Sequence, residues 1–148
     1  MGHGLEMKCT KCGFEFLSRT GVGFSFPSVY EETVLKAKSG ELGDEAREFF
    51  KEHPDGAINA EYVTLCCDEC GDLFTGQDLT VYAPKYGKMK RKSYVFEDDL
   101  EQYYSEGLKY HHRCKKCGGS AHIVDPDETL LCPRCRSPLE ECRSILWD

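Results

Sequence analysis

Residues 114–135, CKKCGGSAHIVDPDETLLCPRC, hold two Cys-x-x-Cys turns, Cys114/Cys117 and Cys132/Cys135, 14 residues apart. One such turn delivers two sulfurs from a single tight loop, and two turns complete a tetrahedron around a metal ion. The spacing is close to that of a two-knuckle zinc site. Between the turns, His122-Ile123-Val124 and Thr129-Leu130-Leu131 bracket an acidic turn, Asp125-Pro126-Asp127. The stretch therefore reads as a β-hairpin with a metal knuckle at each end.

Two more turns lie upstream, Cys9/Cys12 and Cys67/Cys70, with 54 residues between them. Pairing each turn with its nearest neighbour gives two tetrads. Cys9, Cys12, Cys67 and Cys70 would hold one zinc, and Cys114, Cys117, Cys132 and Cys135 the other. Pairing between the halves, or Cys66 in place of Cys67, are the alternatives. Gly13, Gly71 and Gly118 follow the second cysteine of three turns. Glycine there tolerates positive φ and lets backbone N–H groups point at sulfur. Arg136 stands in the fourth, a departure expected to weaken that knuckle's geometry. Cys66 and Cys142 are left over, read as a strand cysteine and a small buried residue. Vicinal Cys66 and Cys67 would rarely both serve one metal.

Ten cysteines in 148 residues, with 40% hydrophobic and 30% charged residues, exclude a disordered chain. No run approaches the ~20 apolar residues of a membrane helix. No apolar signal stretch opens the chain, so it reads as soluble and cytoplasmic, with thiols as metal ligands rather than disulfides. Residues 1–6 read as a leader ahead of Met7, and His3 is given no role. The net charge is −7 with thiols neutral. Each zinc tetrathiolate centre carries −2, so two would deepen it to about −11. Such a protein is not built for indiscriminate nucleic-acid binding, although a local basic patch can bind.

Along the chain, Phe14 and Phe16 alternate after the first knuckle. Residues 24–26 alternate again after Gly21 and Gly23. That reads as a hairpin ended by Pro27. Ser28 and Glu31 form a capping-box pattern for a helix carrying Tyr30, Val34, Leu35 and Ala37, with Gly40 as its stop. A second helix fits residues 44–53, capped by Asp44, with Ala46, Phe49 and Phe50 as its stripe and Pro54 beyond. His53 is placed at its C-terminus, where a cation is favoured. Residues 58–66 and 79–83 read as strands flanking the second knuckle. Residues 97–106 read as a short acidic helix or loop ended by Gly107, and 145–147 as a last strand or apolar tail. The polar stretch 85–92 is the expected boundary.

CTKCG, CDECG, CKKCGG and CPRC resemble the knuckles of zinc-ribbon proteins. They are also similar to rubredoxin knuckles, which hold iron. The whole chain resembles uncharacterised bacterial proteins with paired zinc ribbons. The resemblance covers the knuckles and their hairpins; residues 28–56 lie outside it. It implies metal binding and a small β fold, and no particular activity.

Other residues have plainer readings. His111 and His112 precede a tetrad already complete with four cysteines, and so read as surface or supporting groups. His122 reads as a strand residue. Lys85, Lys88, Lys90, Arg91 and Lys92, with Tyr82, Tyr86 and Tyr94 nearby, carry a nucleic-acid signature. The plainer alternative is a solvated loop balanced by Glu97, Asp98, Asp99 and Glu101. Basic residues beside the C-terminal knuckles, Lys115, Lys116, Arg134 and Arg136, offset thiolate charge. No phosphate-cradling glycine loop, Gly-x-Ser-x-Gly or His-Glu-x-x-His is present.

The expectation is a small α+β protein of two zinc-ribbon hairpin modules. Residues 7–92 form the first, with a two-helix insertion at about 28–56, and residues 93–148 form the second. It is expected to be a non-enzymatic adaptor or regulator that acts through a protein partner, with two Zn2+ per chain. Its aromatic face, Tyr30, Phe49 and Phe50, packs on the ribbon or meets that partner. The alternatives are a nucleic-acid-binding ribbon using residues 85–92 and a rubredoxin-like iron electron carrier. No membrane or small-molecule substrate is expected.

Overall fold

The computed structural model describes residues 2–87 and 93–148. Among the described residues it is a small α+β fold with three helices and antiparallel strand pairings. Two compact units form, and neither follows the expected division at 92/93. Unit 1 comprises Met1–Gly23, Tyr62–Gly76 and His111–Asp148. Unit 2 comprises Phe24–Glu61 and Gln77–Tyr110.

Unit 1 corrects the reading of residues 1–6 as a leader. β1 (Gly2–Lys8) is the middle strand of a sheet, between β2 (Glu15–Thr20) and β9 (Glu140–Trp147). Its glycines make this pairing close. A Cβ on Gly2 would collide with the Trp147 ring, and one on Gly4 with Ile145. The Trp147 indole N–H donates to the His3 carbonyl at 3.1 Å, and its ring meets Tyr62 edge-on at 5.5 Å. The expected last strand, 145–147, is thus real but longer. The second sheet of unit 1 runs β5-β4-β8, from β4 (Tyr62–Cys67), β5 (Leu73–Gln77) and β8 (Ala121–Ile123). The strand directly after the second knuckle is β5; the strand expected at 79–83 also forms, as Val81–Pro84, but in unit 2. Met7, Cys9, Leu73, Leu130, Cys132 and Leu139 form a buried cluster. Two of those six are proposed metal ligands, so this core is thin without its sulfurs.

Unit 2 carries the helices. α1 (Phe26–Ser39) starts earlier than expected, because Pro27 opens it rather than ending a strand. Proline's fixed φ and missing N–H suit a first helical turn. Ser28 is therefore inside the helix, and residues 24–26 form no strand. Gly40 ends α1 as expected, in the left-handed conformation. α2 (Asp44–Glu52) is capped by Gly43 rather than Asp44, and His53 closes its C-terminus as read. Phe26, Tyr30, Val34, Ala37 and Phe50 are buried. They accompany a sheet of β3 (Ala57–Ile58), β6 (Val81–Pro84) and β7 (Tyr104–Leu108) in the order β3-β6-β7. α3 (Glu97–Tyr103) is the acidic helix. Its start is held by the Phe96 N–H donating to Asp99 Oδ2 at 3.2 Å.

Ile58 is fully buried in this unit. Ile58→Ala is expected to cost about 2–5 kcal/mol. The check is a lower urea midpoint of the helical signal with metal content unchanged. No helix among the described residues is long and apolar enough to cross a membrane.

Candidate metal centres

The eight cysteines of the four knuckles come together in two groups, and the pairing differs from the nearest-neighbour expectation. Cys9 and Cys12 meet Cys132 and Cys135; Cys67 and Cys70 meet Cys114 and Cys117. The tetrads expected from Cys9, Cys12, Cys67, Cys70 and from Cys114, Cys117, Cys132, Cys135 do not form. The centres are nested in the chain, an outer one around an inner one, and both lie in unit 1.

Strand pairing produces this arrangement. β9 runs antiparallel to β1, from Gly2↔Trp147 to Lys8↔Glu140. That register brings residue 140 beside residue 8, and so brings the 132–135 knuckle to the 9–12 knuckle. β8 pairs with β4 through Cys67↔Ala121, which brings the 114–117 knuckle to the 67–70 knuckle.

All four knuckles share one backbone form. The first cysteine's carbonyl accepts from the N–H four residues on: Gly13 at 3.0 Å, Gly71 at 3.1 Å, Gly118 at 2.8 Å and Arg136 at 2.9 Å. Its own N–H donates to the carbonyl five residues on, of Phe14, Asp72, Gly119 and Ser137 respectively. The bend requires positive φ, met by glycine at +76°, +76° and +77° and by Arg136 at +64°. Arg136 therefore adopts the glycine geometry that its side chain was expected to weaken. In each knuckle the first cysteine is buried and the second is half-buried or exposed.

The sulfurs fit a tetrahedral ion. A zinc–sulfur bond of about 2.3 Å implies a sulfur–sulfur edge of about 3.8 Å. The observed contacts are 3.4 Å for Cys9–Cys135, Cys12–Cys132 and Cys67–Cys117, and 3.7 Å for Cys70–Cys114. All four ligand atoms of each group lie within 4.8 Å of one another. Backbone N–H groups aim at the sulfurs: Glu69 and Cys70 donate to Cys67 Sγ at 3.4 and 3.3 Å, Gly119 to Cys117 Sγ at 3.4 Å, and Arg134 to Cys132 Sγ at 3.4 Å. These donors favour thiolate over thiol.

The thiols divide in acidity. The Cys70 N–H holds Cys67 down at about 6. The Ser137 hydroxyl and N–H hold Cys135 at about 6. Cys12 is pushed up to about 12: the Phe14 N–H pulls it down, but the Cys132 thiol, burial and the other sulfurs outweigh it. Cys117 rises to about 12 in the same way, its neighbours Cys67 and Cys70 overriding the Gly119 N–H. A divalent cation bound in either cage would displace the remaining thiol protons. Arg134 lies 5.5 Å from the Phe14 ring centroid beside the outer centre, and supplies positive charge there.

Among the remaining residues, Cys66 lies in β4, half-buried, its thiol raised by burial and by Glu128 and Asp68. Cys142 is exposed rather than buried. It is the extra residue where β9 bulges between Glu141 and Arg143. His122 sits in β8 as read, with Nδ1 2.6 Å from Asp68 and Nε2 2.9 Å from Glu128. Glu128 chiefly, and Asp68, hold its pKa above the ordinary value against partial burial. His111 Nε2 contacts the Ser120 hydroxyl at 3.0 Å, and His112 is buried. The sequence missed the Asp68–His122–Glu128 contact, because its members are 54 and 6 residues apart.

Of the nucleic-acid candidates, Lys85 donates to the Glu101 carbonyl at 2.9 Å. Lys88, Lys90, Arg91 and Lys92 lie outside the described residues. Tyr30 and Phe50 are buried in unit 2, and Phe49 packs against Phe50 and His53. That aromatic face is occupied internally.

Comparison with family models, with curated proteins and with solved structures returned no match.

Proposed function

We propose that this chain is a structural zinc protein of two ribbon-like four-cysteine centres that serves as an adaptor or regulator through protein contacts, without an enzymatic activity of its own. The supporting observation is the closure of each cage by four cysteines. A catalytic zinc site keeps a position open for water or substrate, whereas a closed tetrathiolate site holds a fold. Zinc is chosen over iron as an ion without redox chemistry; tetrahedral sulfur suits both metals.

Because Tyr30 and Phe50 are buried, the partner surface is assigned to exposed apolar residues of unit 2. Phe24 is 89% exposed and Leu35 61%. The test has two parts. Elemental analysis of the isolated protein is expected to give two zinc per chain and no visible colour. Red protein with iron–thiolate bands would replace this reading with the electron carrier. Phe24→Ser with Leu35→Ser is then expected to abolish a stoichiometric protein complex while leaving zinc content unchanged. Undiminished complex formation would reject the assigned surface.

A second reading, nucleic-acid binding through residues 85–92, is favoured by Tyr86, 70% exposed beside that basic run. It requires an affinity that falls steeply with salt and with neutralisation of the five cations. No binding at low salt would remove it.

A further inference from the structure

We propose that Arg136 couples the two cysteine centres, so that filling the outer centre tightens metal binding at the inner one. This rests on the reading that both centres hold a metal. Three knuckles put glycine at the left-handed position, and the fourth puts Arg136 there at φ +64°. A side chain in that conformation costs free energy that glycine would not. What the side chain touches accounts for its presence.

Arg136 closes the outer knuckle through its backbone, its N–H donating to the Cys132 carbonyl at 2.9 Å. Its guanidinium, however, sits on the inner knuckle. Nη2 donates to the Cys70 carbonyl at 3.1 Å. Nη1 lies over Gly71, where any Cβ would collide with it. The carbonyl it grips and the Gly71 N–H belong to one peptide group. That N–H donates to the Cys67 carbonyl at 3.1 Å, the bond that closes the inner knuckle. Arg136 therefore orients the peptide that shapes the inner centre, next to the Cys70 N–H that points at Cys67 Sγ.

With the outer centre empty, only the knuckle's own backbone bonds hold the turn at Arg136, and the guanidinium is placed less firmly. With the outer centre filled, the grip is already in place and the inner knuckle is held for its ion. Binding linkage is reciprocal, so an occupied inner centre favours the outer one equally.

The test reads each centre separately. Cysteine alkylation is mapped by mass spectrometry across buffered zinc concentrations, which gives a protection midpoint for Cys67, Cys70, Cys114 and Cys117 alone. Four proteins are compared: the native chain, Arg136→Gly, Cys9→Ser with Cys12→Ser, and the three changes together. Disabling the outer centre is expected to weaken zinc binding at the inner centre about tenfold when Arg136 is present. With Arg136→Gly in place, the same disabling is expected to shift the inner midpoint much less. Equal shifts in both backgrounds, or no shift in either, would overturn the proposal. Arg136→Gly installs the residue the other knuckles use, so its own knuckle retains its form.

If the outer-centre variant does not fold, native mass spectrometry replaces that arm. At limiting zinc, Arg136→Gly is expected to populate the one-zinc species more than the native chain does. An unchanged species distribution would overturn the proposal. Failure of the metal reading looks different, since no zinc concentration would then protect any cysteine in any of the four proteins.

Discussion

Stripping the metal with a strong chelator is expected to unfold unit 1 and leave the helices of unit 2 standing. Structural zinc sites in finger peptides contribute roughly 10–16 kcal/mol of apparent binding free energy. A whole small domain is stable by only about 5–15 kcal/mol. Unit 1 has little to set against that loss. Its buried cluster is Met7, Cys9, Leu73, Leu130, Cys132 and Leu139, and the two cysteines are candidate ligands of the outer centre. Unit 2 is built differently. Phe26, Tyr30, Val34, Phe50, Ile58, Val81, Val95 and Leu100 are buried there without a metal ligand among them. Segment-resolved hydrogen exchange checks the prediction. Protection is expected to vanish in β1, β4 and β9 and to persist in α1 and β6. Equal loss in both units would mean that the helical core depends on the metal as well.

The helices and the knuckles were legible because their signals are local. Gly40 stops α1 and His53 closes α2 where the sequence put them. Each Cys-x-x-Cys turn is a self-contained loop closed by its own backbone bonds, so eight cysteines were identifiable from spacing alone. Pro27 misled because proline ends a strand and opens a helix with equal ease.

The pairing of the knuckles was not legible, and the reason lies in residues 2–8. Gly-His-Gly carries no apolar alternation, so the stretch read as a leader. Its glycines are selected by the partner strand, since only a missing Cβ leaves room for Trp147 and Ile145. Once β1 is lost from the reading, so is its register with β9, and with it the contact that carries the last knuckle to the first. Only proximity in sequence is then left to choose the tetrads. In the structure, β1–β9 pairing across more than 130 residues decides the outer tetrad, and β4–β8 pairing across more than 50 the inner one. The same long-range contact explains Arg136, a poor knuckle residue by local rules that becomes intelligible beside Gly71.

The nested pairing carries a second large effect. Replacing one ligand in each centre should disable both, while replacing two ligands of the outer centre should leave the inner one weakened but able to fill at ample zinc. Cys9→Ser with Cys132→Ser removes two sulfurs from the outer centre only, and the inner keeps all four. Cys9→Ser with Cys67→Ser removes one sulfur from each. Loss of groups that merely orient metal ligands already weakens binding about 10–100-fold, and loss of a ligand itself is expected to cost more. Nearest-neighbour pairing makes the opposite assignment, with Cys9 and Cys67 in the same tetrad.

Zinc stoichiometry of these two double variants, measured by elemental analysis after equilibration in a zinc buffer far above the level that saturates the native chain, is therefore decisive. The nested arrangement predicts one zinc per chain for Cys9→Ser with Cys132→Ser and almost none for Cys9→Ser with Cys67→Ser. One zinc in the Cys9/Cys67 variant and almost none in the Cys9/Cys132 variant would contradict it.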